Sequence, residues 1–265
     1  ILSNPEFLAE GSAISDLNSP DRVLIGGEDQ DAIDALKKIY LRWVSEEKIL
    51  TTDLWSSELS KLIANAFLAQ RVSSINSISA LCESTQANIN EVSKAIGMDS
   101  RIGSLFLEAG PGFGGSCFKK DILNLIYICN HYGLKEVASY WEKVIAINDW
   151  QQERITKIIL EKMFGNISGK KISILGFAFK ANTNDTRESP AIKICKDLLE
   201  EGSFLSIYDP KVSMEKIASD LGIEPQNNNS LINYGCWNFS SSIQESVENS
   251  DAIVILSDWD DFNYL

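Results

Sequence analysis

One cysteine follows a glycine-rich stretch near the middle of the chain, and its neighbours could make its sulfur reactive. The stretch from Gly110 to Asp121 reads GPGFGGSCFKKD, with Cys117 at the expected first turn of a helix and two lysines behind it. A helix N-terminus and neighbouring lysines lower the pKa of a cysteine thiol, and the thiolate is the nucleophile. Glycines let the main chain approach a bound group closely. The pattern predicts a site built around a covalent cysteine, against the alternative of a small buried apolar residue.

Other polar residues are candidates for chemistry at predicted helix faces and strand ends. Lys61 and Asn65 are four residues apart on a predicted helix, so one face presents both to an oxyanion, unless they are ordinary surface residues. Glu6 lies in a loop at a predicted strand end, where ligands gather in open α/β sheets, and is a candidate general base. Lys180 and Arg187 lie in one predicted loop after a strand, where two cations suit an anionic ligand such as a phosphate.

Two other kinds of site are disfavoured. Gly110, Gly112 and Gly115 match the dinucleotide pattern G-x-G-x-x-G, but no hydrophobic strand leads into them, so we reject that interpretation. His131 is the only histidine, and no paired cysteines accompany it, so a transition-metal site is improbable.

Hydrophobic spacing divides the chain into three predicted blocks that would position these residues. Residues 1–52 resemble the tail of a larger α/β domain and should bury no core on their own. Residues 53–165 form long amphipathic helices, which pack either against a second copy or into a monomeric core. In residues 166–265 strands alternate with helices, which predicts a parallel sheet. The predicted strands are 22–27, 171–176, 204–209 and 251–256; the helices are 31–43, 53–82, 88–97, 117–132, 137–165, 189–201 and 214–221, and 226–229 is a polar loop.

Composition excludes some classes of function. The chain has 265 residues, 44% hydrophobic and 23% charged, as in ordinary globular proteins. A net charge of −13 argues against nucleic-acid binding, and no apolar run approaches the roughly 20 residues that span a membrane. Five irregularly spaced cysteines favour a reducing compartment, the cytoplasm. The chain begins at Ile1 rather than Met and stops soon after its last strand, so we expect a piece of a longer protein.

Five motifs in collinear order resemble those of the UDP-glucose 6-dehydrogenases, within the UDP-glucose/GDP-mannose dehydrogenase family. They read NPEFL at 4–8, ELSKLIAN at 58–65, GFGGSCFKKD at 112–121, GFAFK at 176–180 and DTRES at 185–189. The resemblance covers the whole chain and implies NAD-dependent oxidation of UDP-glucose to UDP-glucuronate. It also implies a fold in which a helical central domain joins the remnant of an N-terminal Rossmann-like NAD-binding domain to a partial Rossmann-like UDP-sugar domain.

The resemblance further implies roles for individual residues. Cys117 would capture the aldehyde as a thiohemiacetal that becomes a thioester, Lys61 and Asn65 would stabilise negative charge, Asp121 would place water, and Glu6 would act as acid/base. The implied substrate-binding residues are Phe7, Leu8, Arg101, Phe106, Leu107, Gly112, Phe113, Gly114, Phe179 and Lys180, and the implied cofactor residues are Lys120 and Arg187.

Parts of the family pattern are absent from this sequence. It lacks the glycine fingerprint of the NAD-binding half and the C-terminal part of the sugar-nucleotide domain. We therefore expect the full-length protein to be the dehydrogenase, as a homodimer or higher homo-oligomer through the central helices, and these residues alone to be inactive. The alternatives are a dehydrogenase for GDP-mannose or a UDP-N-acetylhexosamine, and a non-catalytic module for nucleotide-sugar binding or oligomerisation.

Overall fold

The computed structural model describes residues 1–226 and 235–264, and the chain divides into two compact units, Ile1–Phe67 and Leu68–Leu265. One long helix, α3 (Leu54–Thr85), begins in the first unit and ends in the second. Residues 227–229 of the predicted polar loop lie outside the described residues.

The first unit contains a small sheet of three strands. Its elements before α3 are β1 (Leu2–Ser3), α1 (Ala13–Asn18), β2 (Val23–Gly27), α2 (Gln30–Tyr40) and β3 (Ile49–Thr52). The strand order is β1-β2-β3, with β1 antiparallel and β3 parallel to β2. We expected residues 1–52 to bury no core. This expectation is wrong, because one small cluster of apolar side chains is buried: Val23, Ile25, Ile33, Val44 and Ile49.

The helices α4 (Ile89–Gly97), α5 (Phe118–His131) and α6 (Lys135–Lys162) follow α3 in the second unit. The apolar face predicted for α5 is confirmed, since Ile122, Leu125, Ile126 and Cys129 are all buried. Asn88 caps α4 as its spacing predicts, accepting a hydrogen bond from the N–H of Asn90 at 2.9 Å.

The predicted apolar stripe of α3 is wider than its buried face. Leu62, Ala66 and Ile75 are buried, whereas Ile63, Phe67 and Ile78 are exposed. Side chains at the edge of an apolar stripe point partly away from the core, so apolar type alone does not ensure burial.

The rest of the second unit is a parallel sheet flanked by helices. Its elements are β4 (Lys171–Leu175), α7 (Pro190–Glu200), β5 (Phe204–Tyr208), α8 (Met214–Leu221), β6 (Cys236–Phe239), α9 (Ile243–Val247) and β7 (Ala252–Ile255). The strand order is β6-β5-β4-β7, and all neighbours are parallel. Ile172, Ile174, Leu205, Ile207 and Trp237 are fully buried in its core. The predicted α/β class, with a helical middle and a parallel sheet, is confirmed.

Asp209 ties together the loops that leave β4 and β5. One of its carboxylate oxygens accepts hydrogen bonds from the N–H groups of Phe177 (2.7 Å) and Ala178 (3.0 Å). The other accepts from Lys211 (2.8 Å) and Val212 (3.0 Å). The first two bonds fix the start of the β4–α7 loop (residues 176–189), and the other two fix the chain that follows β5. Within the described residues, no helix is long and apolar enough to cross a membrane.

Candidate active site

Cys117 lies at the N-terminus of α5, where the sequence places it. It is the N-cap residue, its side chain is exposed, and its carbonyl oxygen accepts the N–H of Asp121 at 2.8 Å. Asp121 therefore lies one helical turn beyond the cysteine. The sulfur is 3.5 Å from the hydroxyl oxygen of Ser116. The thiol is accessible from solvent at the end of a helix dipole.

The two lysines after Cys117 have different surroundings. Lys119 donates a hydrogen bond to Glu188 of the β4–α7 loop at 2.9 Å, and this bond raises the pKa of Lys119 above its ordinary 10.5. The positive charge of Lys119 is therefore shared with a carboxylate, and this pairing is not predicted from the sequence. Lys120 is exposed.

The glycine loop (residues 110–117) packs against the β4–α7 loop at close range. The N–H of Gly115 donates to the carbonyl of Arg187 at 2.8 Å. A Cβ added at Gly114 would lie 2.6 Å from the carbonyl oxygen of Glu188 and 2.8 Å from Cβ of Phe179. Glycine at this position lets the two main chains meet. Phe179 and Arg187, both predicted site residues, are thus brought to the loop that carries Cys117.

Three aromatic rings lie before, within and after the glycine loop. The ring of Phe118, directly after Cys117, lies 5.8 Å from that of Phe113 and 6.5 Å from that of Phe106, between centroids. Phe106 has a φ of 60°, a conformation that costs energy for a residue with a side chain. Strained backbone of this kind clusters at functional sites, and Phe106 is one of the predicted substrate residues.

The segment before Phe106 is held by an arginine that the sequence analysis missed. Arg71 of α3 donates hydrogen bonds to three carbonyl oxygens, those of Ile102 (2.9 Å), Gly103 (2.8 Å) and Leu105 (2.9 Å). Among the predicted substrate residues nearby, Leu107 is buried. Arg101 is exposed and paired with Asp99 at 2.6 Å.

Three buried amide side chains, also missed from the sequence, contact the main chain of the glycine loop. Asn148 of α6 bonds both the N–H (2.8 Å) and the C=O (3.1 Å) of Phe113. Asn76 of α3 accepts the N–H of Gly110 at 2.8 Å, and Gln151 of α6 donates to the carbonyl of Gly110 at 2.8 Å. A polar residue in phase with buried apolar ones is the signal that would have found them.

In the first unit, two other predicted catalytic residues form an ion pair. The ammonium nitrogen of Lys61 lies 3.5 Å from a carboxylate oxygen of Glu6, whose second oxygen accepts the N–H of Leu8 at 2.6 Å. Lys61 also lies 5.5 Å from the ring centroid of Phe7. Asn65, one turn further along α3, is buried. A carboxylate can accept a proton from a bound ligand, and a nearby ammonium can stabilise the negative charge that results.

The loop that carries Glu6 is anchored by Asn4. Asn4 donates to the carbonyl of Leu24 at 2.8 Å and accepts from the hydroxyl of Tyr40 at 2.7 Å. The guanidinium of Arg22 lies 3.8 Å from the ring centroid of Phe7. These contacts fix the main chain on both sides of Glu6.

Of the two cations predicted to face a dinucleotide, Arg187 lies on the β4–α7 loop and Lys120 lies in the first turn of α5. Arg187 makes a paired interaction with Asp185, with hydrogen bonds of 2.9 and 2.7 Å, and 60% of its side chain is exposed. Lys180 lies 5.6 Å from the ring centroid of Phe179. Arg187 and Lys120 fit phosphate oxygens by charge and exposure. Among the described residues no G-x-G-x-x-G turn joins a strand to a helix.

Models of one family match most of the chain. Three models of the UDP-glucose/GDP-mannose dehydrogenase family match it: the NAD binding domain at residues 1–44, the central domain at 55–150 and the UDP binding domain at 173–265.

Curated relatives match over the whole of this chain. UDP-glucose 6-dehydrogenase 2 of Oryza sativa subsp. japonica is 53% identical, over 100% of this chain and 58% of its own length. UDP-glucose 6-dehydrogenase of Drosophila melanogaster is 55% identical, over 99% of this chain and 56% of its own length. The chain thus spans a little over half the length of the curated relatives it matches.

Solved structures agree with these matches. A UDP-glucose dehydrogenase from the hyperthermophilic archaeon Pyrobaculum islandicum is 33% identical with a TM-score of 0.87, covering 100% of this chain and 57% of its own. A UDP-D-ManNAc dehydrogenase from Pyrococcus horikoshii is 25% identical with a TM-score of 0.76, covering 100% of this chain and 56% of its own.

Proposed function

The chain belongs to the UDP-glucose/GDP-mannose dehydrogenase family, and we propose that the intact protein oxidises UDP-glucose to UDP-glucuronate with NAD⁺. The observation that carries this proposal is the exposed Cys117 at the N-terminus of α5, on a glycine loop that packs against Phe179. Identities of 53% and 55% to UDP-glucose 6-dehydrogenases support this substrate over a UDP-N-acetylhexosamine, since the UDP-D-ManNAc dehydrogenase is 25% identical.

In the proposed mechanism Cys117 binds the reaction intermediate covalently. When bound, NAD⁺ supplies the hydride acceptor for both oxidations. The first oxidation converts the C6 alcohol to an aldehyde. The sulfur of Cys117 then adds to the aldehyde carbon, the resulting thiohemiacetal is oxidised to a thioester, and water cleaves the thioester to free the carboxylate and restore the thiol. Four electrons leave the sugar in total, as two hydrides, and water supplies the second carboxylate oxygen.

The other catalytic residues have roles that follow from their chemistry. Lys61, with Asn65 as a second donor, stabilises negative charge that develops on the substrate oxygen. Glu6 accepts and returns protons, and its carboxylate lies 3.5 Å from the ammonium of Lys61. Asp121, one turn from Cys117, orients the water that cleaves the thioester.

Binding of substrate and cofactor is assigned to the remaining residues. We assign the nucleotide sugar to Phe7, Leu8, Arg101, Phe106, Leu107, Gly112, Phe113, Gly114, Phe179 and Lys180. We assign the dinucleotide phosphates to Lys120 and Arg187, which are exposed cations.

We also propose the organisation of the whole protein. Residues 1–52 would belong to the NAD-binding domain, 53–165 to a central domain through which copies associate, and 166–265 to the UDP-sugar domain; the matched family segments 1–44, 55–150 and 173–265 support this division. All five cysteines, each within the described residues, are free thiols, which supports a cytoplasmic location.

The stoichiometry of the reaction tests the proposal. The intact protein should form two NADH for each UDP-glucose consumed, and it should turn over GDP-mannose and UDP-N-acetylhexosamines much more slowly. Two NADH from a UDP-N-acetylhexosamine, with none from UDP-glucose, would instead identify the sister activity.

Replacement of the nucleophile separates an enzyme from a binding module. In the intact protein, Cys117→Ser should lower kcat by about a thousandfold or more, because the hydroxyl is a far weaker nucleophile at neutral pH. The affinity for UDP-glucose, measured by calorimetry, should change by less than about threefold. Cys236→Ser, at a half-buried thiol on β6, is the matched control and should keep its turnover. Tight binding of UDP-glucose without turnover in the unaltered protein would favour the module.

A further inference from the structure

We propose that Asn148 is a positioning residue, which through Phe113 and Phe118 aligns the sulfur of Cys117 for attack on the aldehyde. This inference rests on the proposed function, because it assigns Asn148 a part in the cysteine-dependent step. The observations are the buried amide contacts to the glycine loop and the aromatic packing on either side of Cys117.

Asn148 makes an unusually complete contact with one residue of the loop. Its Oδ1 accepts the N–H of Phe113 at 2.8 Å, and its Nδ2 donates to the carbonyl of the same residue at 3.1 Å. An amide offers a donor and an acceptor in one plane, which an aspartate or a leucine of similar size does not. Asn148 is 4% exposed, so water cannot replace either bond. The main chain of Phe113 is fixed in position and in orientation.

The main chain of Gly110, three residues before Phe113, is held in the same manner from two helices. Asn76 accepts its N–H and Gln151 donates to its carbonyl, both at 2.8 Å. Arg154 donates to Oε1 of Gln151 at 3.2 Å and pairs with Glu83, which sets the orientation of the Gln151 amide. Four hydrogen bonds from buried amides thus reach two residues of the loop.

The position of Phe113 is transmitted to Cys117 by packing. Phe113 is buried, and its ring lies edge-on to the ring of Phe118, 5.8 Å away. Phe118 directly follows Cys117 and opens helix α5. A shift of Phe113 therefore moves the first turn of α5, and the sulfur with it. On the other side of the loop, the bond from Gly115 to Arg187 limits how the chain can compensate.

Asn148 occupies a position on α6 where an apolar residue would be expected. Asn148 follows Val144 by one turn and Trp141 by two on the buried face of α6, where apolar residues pack. Burying an amide is costly unless it is hydrogen-bonded, and here both bonds go to the buried main chain of Phe113. The bonds of Asn148 go to the loop, so the loop is what the amide serves.

The test uses the intact protein and two separate steps of the reaction. The cysteine-dependent step is measured as NADH formed from the C6 aldehyde of UDP-glucose. The first hydride transfer is measured as single-turnover NADH from UDP-glucose in a Cys117→Ala background. Since a misplacement of about 1 Å costs roughly a hundredfold, Asn148→Ala should slow aldehyde oxidation by about 10- to 100-fold. It should change the first hydride transfer by less than about threefold.

The matched control is Ser73→Ala, which removes a buried hydrogen bond of 2.8 Å from Ser73 of α3 to the carbonyl of Val144 on α6. It joins the same two helices without touching the loop, so it should lower the melting temperature and leave aldehyde oxidation unchanged. Should Asn148→Ala fail to fold, Gln151→Met, which loses the bonds to Gly110 and Arg154 and leaves Asn148 in place, should slow aldehyde oxidation several-fold.

Two results would overturn the inference. One is equal slowing of both steps by Asn148→Ala, which would mean that it acts on substrate binding or on the fold. The other is aldehyde oxidation by Asn148→Ala or Gln151→Met no slower than by Ser73→Ala. An unaltered protein that oxidises neither UDP-glucose nor its aldehyde would count against the proposed function instead.

Discussion

Gly112 is a residue of the glycine loop at which an added side chain would meet both a strained backbone and a close neighbour. Its φ of +131° is a conformation essentially confined to glycine, and a Cβ there would lie 2.8 Å from Oδ1 of Asn148. A Cβ added at Gly110, two residues earlier, would meet no heavy atom within 4 Å apart from those of its chain neighbours. The two glycines therefore differ in both backbone conformation and surroundings.

Substitution at these glycines should show that difference. Gly112→Ala should lower the free energy of unfolding by about 1–3 kcal/mol, since it strains the backbone and displaces the Asn148 amide. Gly110→Ala should change it by about 0.5 kcal/mol or less. Urea unfolding of both variants measures the two values. Equal losses would contradict the conformational argument.

At the scale of elements, helix α5 and the β4–α7 loop are joined by two contacts. The N–H of Gly115 bonds the carbonyl of Arg187, and Lys119 of the first turn of α5 bonds Glu188 at 2.9 Å. Because these contacts lie within two residues of Cys117, the loop after β4 restrains the segment that carries the nucleophile.

The ion pair between these elements should have a defined pH dependence. Glu188 raises the pKa of Lys119 above 10.5, so the stabilisation is fully present below that value and is lost as the pH rises through the folded-state pKa. Both side chains are well exposed, which limits the effect to about 0.2–1 kcal/mol. The difference in unfolding free energy between the unaltered protein and Glu188→Gln should be constant from about pH 7 to 10 and shrink above 10.5.

Salt provides the control for this measurement. At about 1 M NaCl the Debye length falls to roughly 3 Å, so the difference at neutral pH should decrease. A difference that grows above pH 10.5 would show that Glu188 stabilises the fold by another route.

At the scale of the whole molecule, the chemistry of the chain is distributed over segments that are distant in sequence. Glu6 and Lys61 pair in the first unit, whereas the cysteine loop and the β4–α7 loop meet in the second. Over residues 1–226 and 235–264, no glycine fingerprint that could hold a dinucleotide joins a strand to a helix.

These residues alone should therefore lack activity while keeping an accessible thiol. We expect no NADH from UDP-glucose and NAD⁺ with the 265-residue chain, whereas iodoacetamide should modify its exposed Cys117. Mass spectrometry of the alkylated chain and absorbance at the NADH band are the measurements. NADH formation above that of its Cys117→Ser variant would refute the expectation.

The parts of the structure that could be predicted are those with strong local patterns. The four apolar positions of α5 follow the helical period and are all buried, and Ser189 followed by proline marks the start of α7. Strands β3 (ILTT) and β6 (CWNF) were missed because neither is a continuous aliphatic run like β7 (AIVI), and pairing with a neighbouring strand stabilises them.

The candidate site shows the same limit. Cys117 stands out in the sequence because its glycines and helix start are adjacent to it. Glu188, 69 residues from its partner Lys119, cannot be paired with it from spacing. Asn148 could have been noticed, since it lies in phase with Val144 and Trp141, but its partner on the loop is visible only in the fold.

The occupied carboxylate of Asp209 restricts which nucleotides the parallel sheet can recognise. In sheets that bind dinucleotides, an acidic residue at the end of the second strand accepts hydrogen bonds from ribose hydroxyls. Asp209 stands at that place after β5, but its oxygens already accept four main-chain N–H groups and it is 3% exposed. A ribose diol would find every lone pair there taken. This sheet shares its topology with sheets in which the acidic residue binds ribose, but here any selectivity for a sugar must come from other residues.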